Sequence, residues 1–234
     1  MLNRFARALF TRLLTPVARL LLRMGISPDV VTLVGTLGVS VGALVFYPRH
    51  EFLIGTLVIT AFVFSDTVDG IMARESNRSS VWGAYLDSTL DRVGDAAVFG
   101  GLVLYYAGQG DDPLMAALAL ACLVLGSVVS YARARAEGLG MKADVGIAER
   151  ADRLVAVLVT TGLVGLGLPE VFLLAVLALL ALASLITVIQ RVVVVRRQAL
   201  GRPLNRVVLP ETANGTAGDH TYLRTGGRST DRRA

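Results

Sequence analysis

Cysteine, histidine and charge are all scarce in this chain. Cys122 is the single cysteine, so no intramolecular disulfide framework can staple the fold. The two histidines, His50 and His220, cannot build an imidazole metal site. Only 18% of the 234 residues are charged against 54% hydrophobic, where a soluble domain carries about 25% charged side chains. Together with a mean hydropathy of +0.63, this excludes disorder and collagen, and leaves too few charges to cover a water-facing surface. An integral membrane domain is the expected class.

Six runs lack Asp, Glu, Lys and Arg: residues 30–48, 52–65, 96–110, 113–132, 154–169 and 171–190. Crossing a hydrocarbon layer takes about 20 helical residues. The second and third runs, 14 and 15 residues long, reach that only if their helices continue through charged residues, Asp66 to Arg74 and Tyr85 to Asp95. Basic residues cluster before the first run, between the second and third, and between the fourth and fifth, whereas the other connections carry only Arg49. The positive-inside rule then predicts an all-α integral membrane fold of six transmembrane helices, both termini and the active site cytoplasmic, in the cell membrane.

Residues 1–26 differ in kind. Leu2, Phe5, Leu9, Leu13, Val17 and Leu20 recur at helical spacing among arginines, which predicts an amphipathic juxtamembrane helix lying on an anionic leaflet. Arg12 interrupts what would be the apolar core of a signal peptide. Residues 27–200 form the six-span domain, and residues 201–234, rich in Gly, Thr, Asn and Arg, are expected to be a disordered basic cytoplasmic tail.

The chemistry is concentrated between Asp66 and Asp91. Asp66 with Asp69, and Asp87 with Asp91, are spaced three and four residues apart, so each pair shares a helix face. Two adjacent antiparallel helices would aim four carboxylates at one point near the cytoplasmic end of the bundle. An ionised Asp in mid-span costs about 2.5–3.5 kcal/mol on insertion scales, and the carboxylates repel one another, so cations must sit between them. Oxygen-only ligation suits Mg²⁺, Mn²⁺ or Ca²⁺ over zinc, and two such ions, Mg²⁺ or Mn²⁺ being expected, suit phosphoryl displacement. Gly70 and Gly83 leave the backbone open to close approach there. Asp95, one turn beyond Asp91 and near Arg92, is expected to pair structurally or to support the metal ligands.

The string D-x2-D-G-x2-A-R-x8-G-x3-D-x3-D from Asp66 to Asp91 resembles the signature of the CDP-alcohol phosphotransferases. The resemblance implies a transferase that moves a phosphate-linked group from a CDP-linked lipid to an alcohol and releases CMP. It implies metal binding by Asp66, Asp69, Asp87 and Asp91, with Asp91 also the catalytic proton acceptor. Gly70, Arg74 and Ser80 would hold CDP-diacylglycerol, together with Asp29, Val30, Val31 and Thr32 at the start of the first span. The reverse possibility for Ser80 and Thr32 is that their hydroxyls cap helices.

A second cluster bears on the acceptor. Ser130, Arg133, Arg135, Arg153 and Arg191 end or open the fourth, fifth and sixth spans, and fixed positive charge there suits an anionic alcohol. These strings resemble the actinobacterial branch of the family that uses an inositol phosphate, which implies that the five residues bind the acceptor phosphate. Expected partners are therefore CDP-diacylglycerol, inositol phosphate, the lipid bilayer and a second copy of the chain as a homodimer, and no nucleic acid. A glycerol 3-phosphate acceptor is the nearest alternative, and a cation-coupled transporter the remote one, disfavoured by the lack of internal repeats. Gly38 and Gly42 could serve either dimerisation or packing within the bundle.

Overall fold

The computed structural model describes residues 14–75, 80–147 and 149–201, apart from the side chains of Asp66 and Thr67. Residues 1–13 of the expected amphipathic helix and residues 202–234 of the expected tail lie outside the described residues. Every regular element among the described residues is helical.

Residues 14–23 belong to the first helix, α1. Then follow α2 (Pro28–Val41), continued by a π-turn (Gly42–Phe46) and a 3-10 turn (Tyr47–Arg49), then α3 (Phe52–Val63) and α4 (Ser65–Glu75). The remaining helices are α5 (Val81–Tyr106), α6 (Pro113–Gly138), α7 (Arg150–Gly165) and α8 (Val171–Leu200). Local chemistry sets the starts. Ser27 accepts from the Val30 amide at 3.4 Å, Ser80 from Gly83 at 2.9 Å and Asp112 from Met115 at 3.0 Å, while Pro28 and Pro113 occupy first turns.

The two short apolar runs are extended as expected. α3 passes with a break at Phe64 into α4, which carries Asp66 to Arg74, and α5 begins at Val81 and carries Asp87, Asp91 and Asp95 before its apolar half. Among the described residues, four helical stretches are long and apolar enough to cross a bilayer: Pro28–Arg49, Phe52–Glu75, Pro113–Gly138 and Val171–Leu200. That is two fewer than the six expected. α5 has the length but holds acids and Arg92 within it, and α7 has only 16 residues. Large apolar side chains such as Leu37, Leu57, Leu179 and Ile189 face outward, as lipid contact requires. The chain is a multi-pass membrane protein.

Glycines decide how closely the helices pack. A Cβ at Gly35 would collide with Ser65, one at Gly38 with the ring of Phe62, and one at Gly42 would crowd Val58 and Ile59. The Gly38 and Gly42 ridge thus packs against α3 inside the bundle, which resolves the choice left open by the sequence. At Gly101 a Cβ would stand 2.6 Å from the Ala43 carbonyl oxygen. Gly101→Val is expected to cost about 1–3 kcal/mol through overpacking and to lower the melting temperature by about 5 °C. An unchanged melting temperature in the same detergent would contradict that packing.

α1 lies against the back of α4. Ala18 is fully buried with Val68, Ile71 and Met72, and Leu14, Leu21, Leu22, Ile26 and Val31 pack around them. Val17 and Leu20 of the expected stripe are exposed, and the neighbouring stripe of Leu14, Ala18 and Leu21 faces the protein. Arg19 adds two hydrogen bonds of 3.1 Å to Glu75, and this contact, followed by the charge attraction, raises its pKa above the usual guanidinium value. Being exposed, the pair adds little stability.

The connector between α6 and α7 is fastened to α8. Thr187 Oγ1 accepts from the Ile147 amide at 3.1 Å, Arg191 Nε donates to the Val145 carbonyl at 2.9 Å, and Gln198 exchanges hydrogen bonds with the backbone of Lys142 at 3.0 and 2.5 Å. Thr187, Arg191 and Gln198 are four and seven residues apart, so one face of α8 carries all three.

Candidate active site

α5 walls two cavities at the end of the bundle where the charges gather. The first, of about 290 Å³, is lined by Asp29 and Thr32 of α2, Asp69, Gly70 and Arg74 of α4, and Ser80, Gly83 and Asp87 at the start of α5. The second, of about 590 Å³, is lined by Ser88, Asp91 and Arg92 of α5, Ser130, Arg133 and Glu137 of α6, residues 144–146 of the connector, Arg150 and Arg153 of α7, and Arg191 of α8. Asp87 and Asp91, one turn apart, put one carboxylate into each.

In the first cavity, Thr32 Oγ1 donates to Asp69 Oδ2 at 2.6 Å, within a buried contact that also reaches the Pro28 carbonyl at 3.1 Å. This fixes the Asp69 carboxylate by a hydrogen bond from the first apolar span. Arg74 lies one turn after Gly70, and its guanidinium sits 3.6 Å from where a Gly70 Cβ would be, so the glycine leaves the space beneath it open. Ser80 caps α5 and also lines the cavity. Val30 and Val31 do not line this cavity. Val30 is exposed and Val31 packs on the α1 and α4 cluster, because only Asp29 and Thr32 of that turn point toward α4 and α5.

The donors suit a hard divalent cation, since Asp69 and Asp87 share the first cavity with no nitrogen or sulfur ligand among its lining residues. Asp66 stands one turn before Asp69 on α4. Among the described residues no group of three or more His, Cys, Asp or Glu side chains is gathered tightly enough to hold an ion. His50 is far from this site, stacked on Tyr105 at a centroid distance of 4.9 Å and 4.0 Å from Glu170.

The second cavity is cationic, with each arginine held differently. Arg153 is 2% exposed and lies against Gly126, where a Cβ would be 3.3 Å from its Nη2. Arg191 is buried and donates to the carbonyls of Val129 and Val145. Arg133 is half exposed and pairs with Glu137 at 2.9 Å and Asp144 at 2.7 Å. Ser130 donates to the Gly126 carbonyl at 3.1 Å. Arg135 is exposed and absent from the lining: two residues from Arg133 on α6, it is turned about 200° away. Sequence reasoning missed Arg150. Its Nη1 lies 2.7 Å from Asp91 and its Nε 3.0 Å from Asp95, and the three-residue spacing from Arg153 is the signal that could have found it.

Residues 25–149 match the model of the CDP-alcohol phosphatidyltransferase family. A phosphatidylinositol phosphate synthase from Streptomyces avermitilis is 58% identical over 205 residues, covering 85% of this chain and 84% of that protein. One from Cutibacterium acnes is 48% identical over 204 residues, covering 84% and 98%. The crystal structure of Mycobacterium tuberculosis phosphatidylinositol phosphate synthase with CDP-DAG bound superimposes with a TM-score of 0.75 at 43% identity, covering 79% of this chain and 94% of that one. A structure of the same enzyme in complex with manganese and citrate gives a TM-score of 0.74 at 43% identity, covering 78% and 88%.

Proposed function

The chain belongs to the CDP-alcohol phosphatidyltransferase family, and we propose on that premise that it transfers the phosphatidyl group of CDP-diacylglycerol to inositol 1-phosphate (1D-myo-inositol 3-phosphate), giving phosphatidylinositol phosphate and CMP. The observation that carries this reading is the cationic cavity of Arg133, Arg153 and Arg191, which has Asp91 in its wall one helical turn from the Asp69 and Asp87 cavity. The named relatives support the same acceptor.

In this reading the first cavity holds the nucleotide donor. Arg74 gives charge-assisted hydrogen bonds to the pyrophosphate, and Asp29, Thr32, Gly70 and Ser80 shape its surroundings. Asp66, Asp69, Asp87 and Asp91 would hold two Mg²⁺ or Mn²⁺ ions, which when bound neutralise charge on the transferring phosphoryl group. In the second cavity Ser130, Arg133, Arg153 and Arg191 take the acceptor's phosphate and orient its hydroxyl toward Asp91. The hydroxyl oxygen bonds to the β-phosphorus of CDP-diacylglycerol, the phosphoanhydride bond to CMP breaks, and Asp91 takes the hydroxyl proton.

The same proposal includes six spans, with α5 and α7 crossing beside the four apolar ones, and a cytoplasmic active site in the cell membrane, a reading supported by the arginine distribution. Residues 1–26, 27–200 and 201–234 are the corresponding parts. The homodimer uses a face other than the Gly38 and Gly42 ridge, which is covered by α3. The deciding assay supplies CDP-diacylglycerol directly and measures CMP release with each acceptor. Turnover with inositol phosphate is the expected result; turnover with glycerol 3-phosphate alone would assign the chain to the glycerol phosphate branch.

A further inference from the structure

Asp95 and Arg150 have no part in the reaction drawn above, yet both stand beside its proton acceptor. Arg150 opens α7 and reaches across to α5, with Nη1 2.7 Å from Asp91 Oδ1 and Nε donating to Asp95 Oδ1 at 3.0 Å. Asp91 and Asp95 are one turn apart on α5, so their carboxylates line up along one face and a single planar guanidinium spans both. A contact to Asp91 from Arg92 Nη2 is 3.5 Å long and at the limit of a hydrogen bond. All three side chains are largely withdrawn from solvent, at 26% exposure for Arg150, 18% for Asp91 and 13% for Asp95.

We propose that Arg150, anchored by Asp95, is the positioning residue that sets the Asp91 carboxylate for proton transfer from the acceptor hydroxyl. This rests on the reading of Asp91 as the proton acceptor. An aspartate in the wall of an open cavity can turn about two side-chain bonds, whereas proton transfer needs an oxygen within about 2.6–3.2 Å of the hydroxyl. Arg150 restricts that freedom through Oδ1 and leaves Oδ2 to the proposed cation and the hydroxyl proton, because its own orientation is fixed: Nε is tied to Asp95 while Nη1 points in a set direction to Asp91. Lysine, with one nitrogen, cannot hold both carboxylates in that geometry. Arg153 follows three residues later on the same helix and lines the acceptor cavity. One helix end therefore aligns the base and the phosphate-binding arginine with each other.

The test is steady-state kinetics of CMP release by the full chain in lipid and detergent, with both substrates varied. Arg150→Lys is expected to lower kcat by about 30-fold while both KM values stay within about threefold, since misplacement of a reacting group by an ångström costs about 100-fold. Asp95→Ala should show the same split. Asp95→Asn should recover about tenfold of that loss, because an amide oxygen still accepts from Arg150 Nε. A structural tie alone would not divide kcat from KM in this way. The proposal is overturned if Arg150→Lys keeps kcat within about threefold, if the loss falls on KM for inositol phosphate, or if Asp95→Asn is as impaired as Asp95→Ala. Should Arg150→Lys not elute as folded protein, the two Asp95 variants decide by the same criteria. Asp91→Asn separates the two levels: retained turnover there removes the base itself, whereas its inactivity beside unaffected Arg150 and Asp95 variants removes only the positioning role.

Discussion

Replacing Asp91 by asparagine is expected to lower CMP release by at least about a thousandfold and to leave a folded protein. The loss combines removal of a proton acceptor, which contributes about 10²–10⁴-fold, with loss of one anionic ligand from the proposed cation site. The fold should survive because the amide oxygen can still accept the 2.7 Å contact from Arg150, and the packing of α5 is made by its apolar half, where Val98 and Leu102 are fully buried. The measurement is single-turnover release of CMP at saturating substrates, beside a melting curve in the same detergent. Turnover within tenfold of the parent would remove Asp91 from the chemistry.

Arg153→Ala is expected to raise KM for inositol phosphate by about 100-fold, with a much smaller change in KM for CDP-diacylglycerol. Hydrogen bonds to charged groups contribute about 1.5–3 kcal/mol each, so one lost guanidinium contact to a phosphate corresponds to roughly 10–150-fold. Arg153 is the strongest candidate for this role because it is 2% exposed and lines the cavity, whereas Arg133 is half exposed and already shared by Glu137 and Asp144. Truncation also empties space beside Gly126, so some thermal destabilisation accompanies the kinetic effect. Arg153→Lys separates the two by keeping the charge and most of the volume. Unchanged KM for inositol phosphate in both variants would place the acceptor phosphate elsewhere.

What could be read from the sequence followed the periodicity of single helices. Two carboxylates spaced by three or four residues must share a face, and the extension of short apolar runs into α4 and α5 follows from the thickness of a bilayer. The limits appeared wherever the answer depended on rotation about a helix axis or on contact between distant segments. Arg133 and Arg135 look alike in sequence, yet only the first faces the cavity. The stripe of Leu14, Ala18 and Leu21 that packs on α4 lies one residue out of phase with the Val17 and Leu20 stripe that the periodicity picked out. Val30 and Val31 shared a motif with Asp29 and Thr32 and point elsewhere. Arg150 was visible as a charge at a helix start, but its partners lie 55 and 59 residues earlier, a separation that no local pattern reports.

The fastening of the α6 to α7 connector along α8 has a thermodynamic consequence for recognition. A segment that borders a binding cavity normally loses backbone freedom when its ligand arrives, at about 1–2 kcal/mol for each residue immobilised. Here Thr187, Arg191 and Gln198 hold Ile147, Val145 and Lys142 through hydrogen bonds made within the chain itself. Ordering of that wall is completed during folding, so a small, highly hydrated acceptor need not supply it from its few contacts. Selectivity then comes from a rigid outline, which penalises an alcohol of the wrong shape instead of adjusting to it.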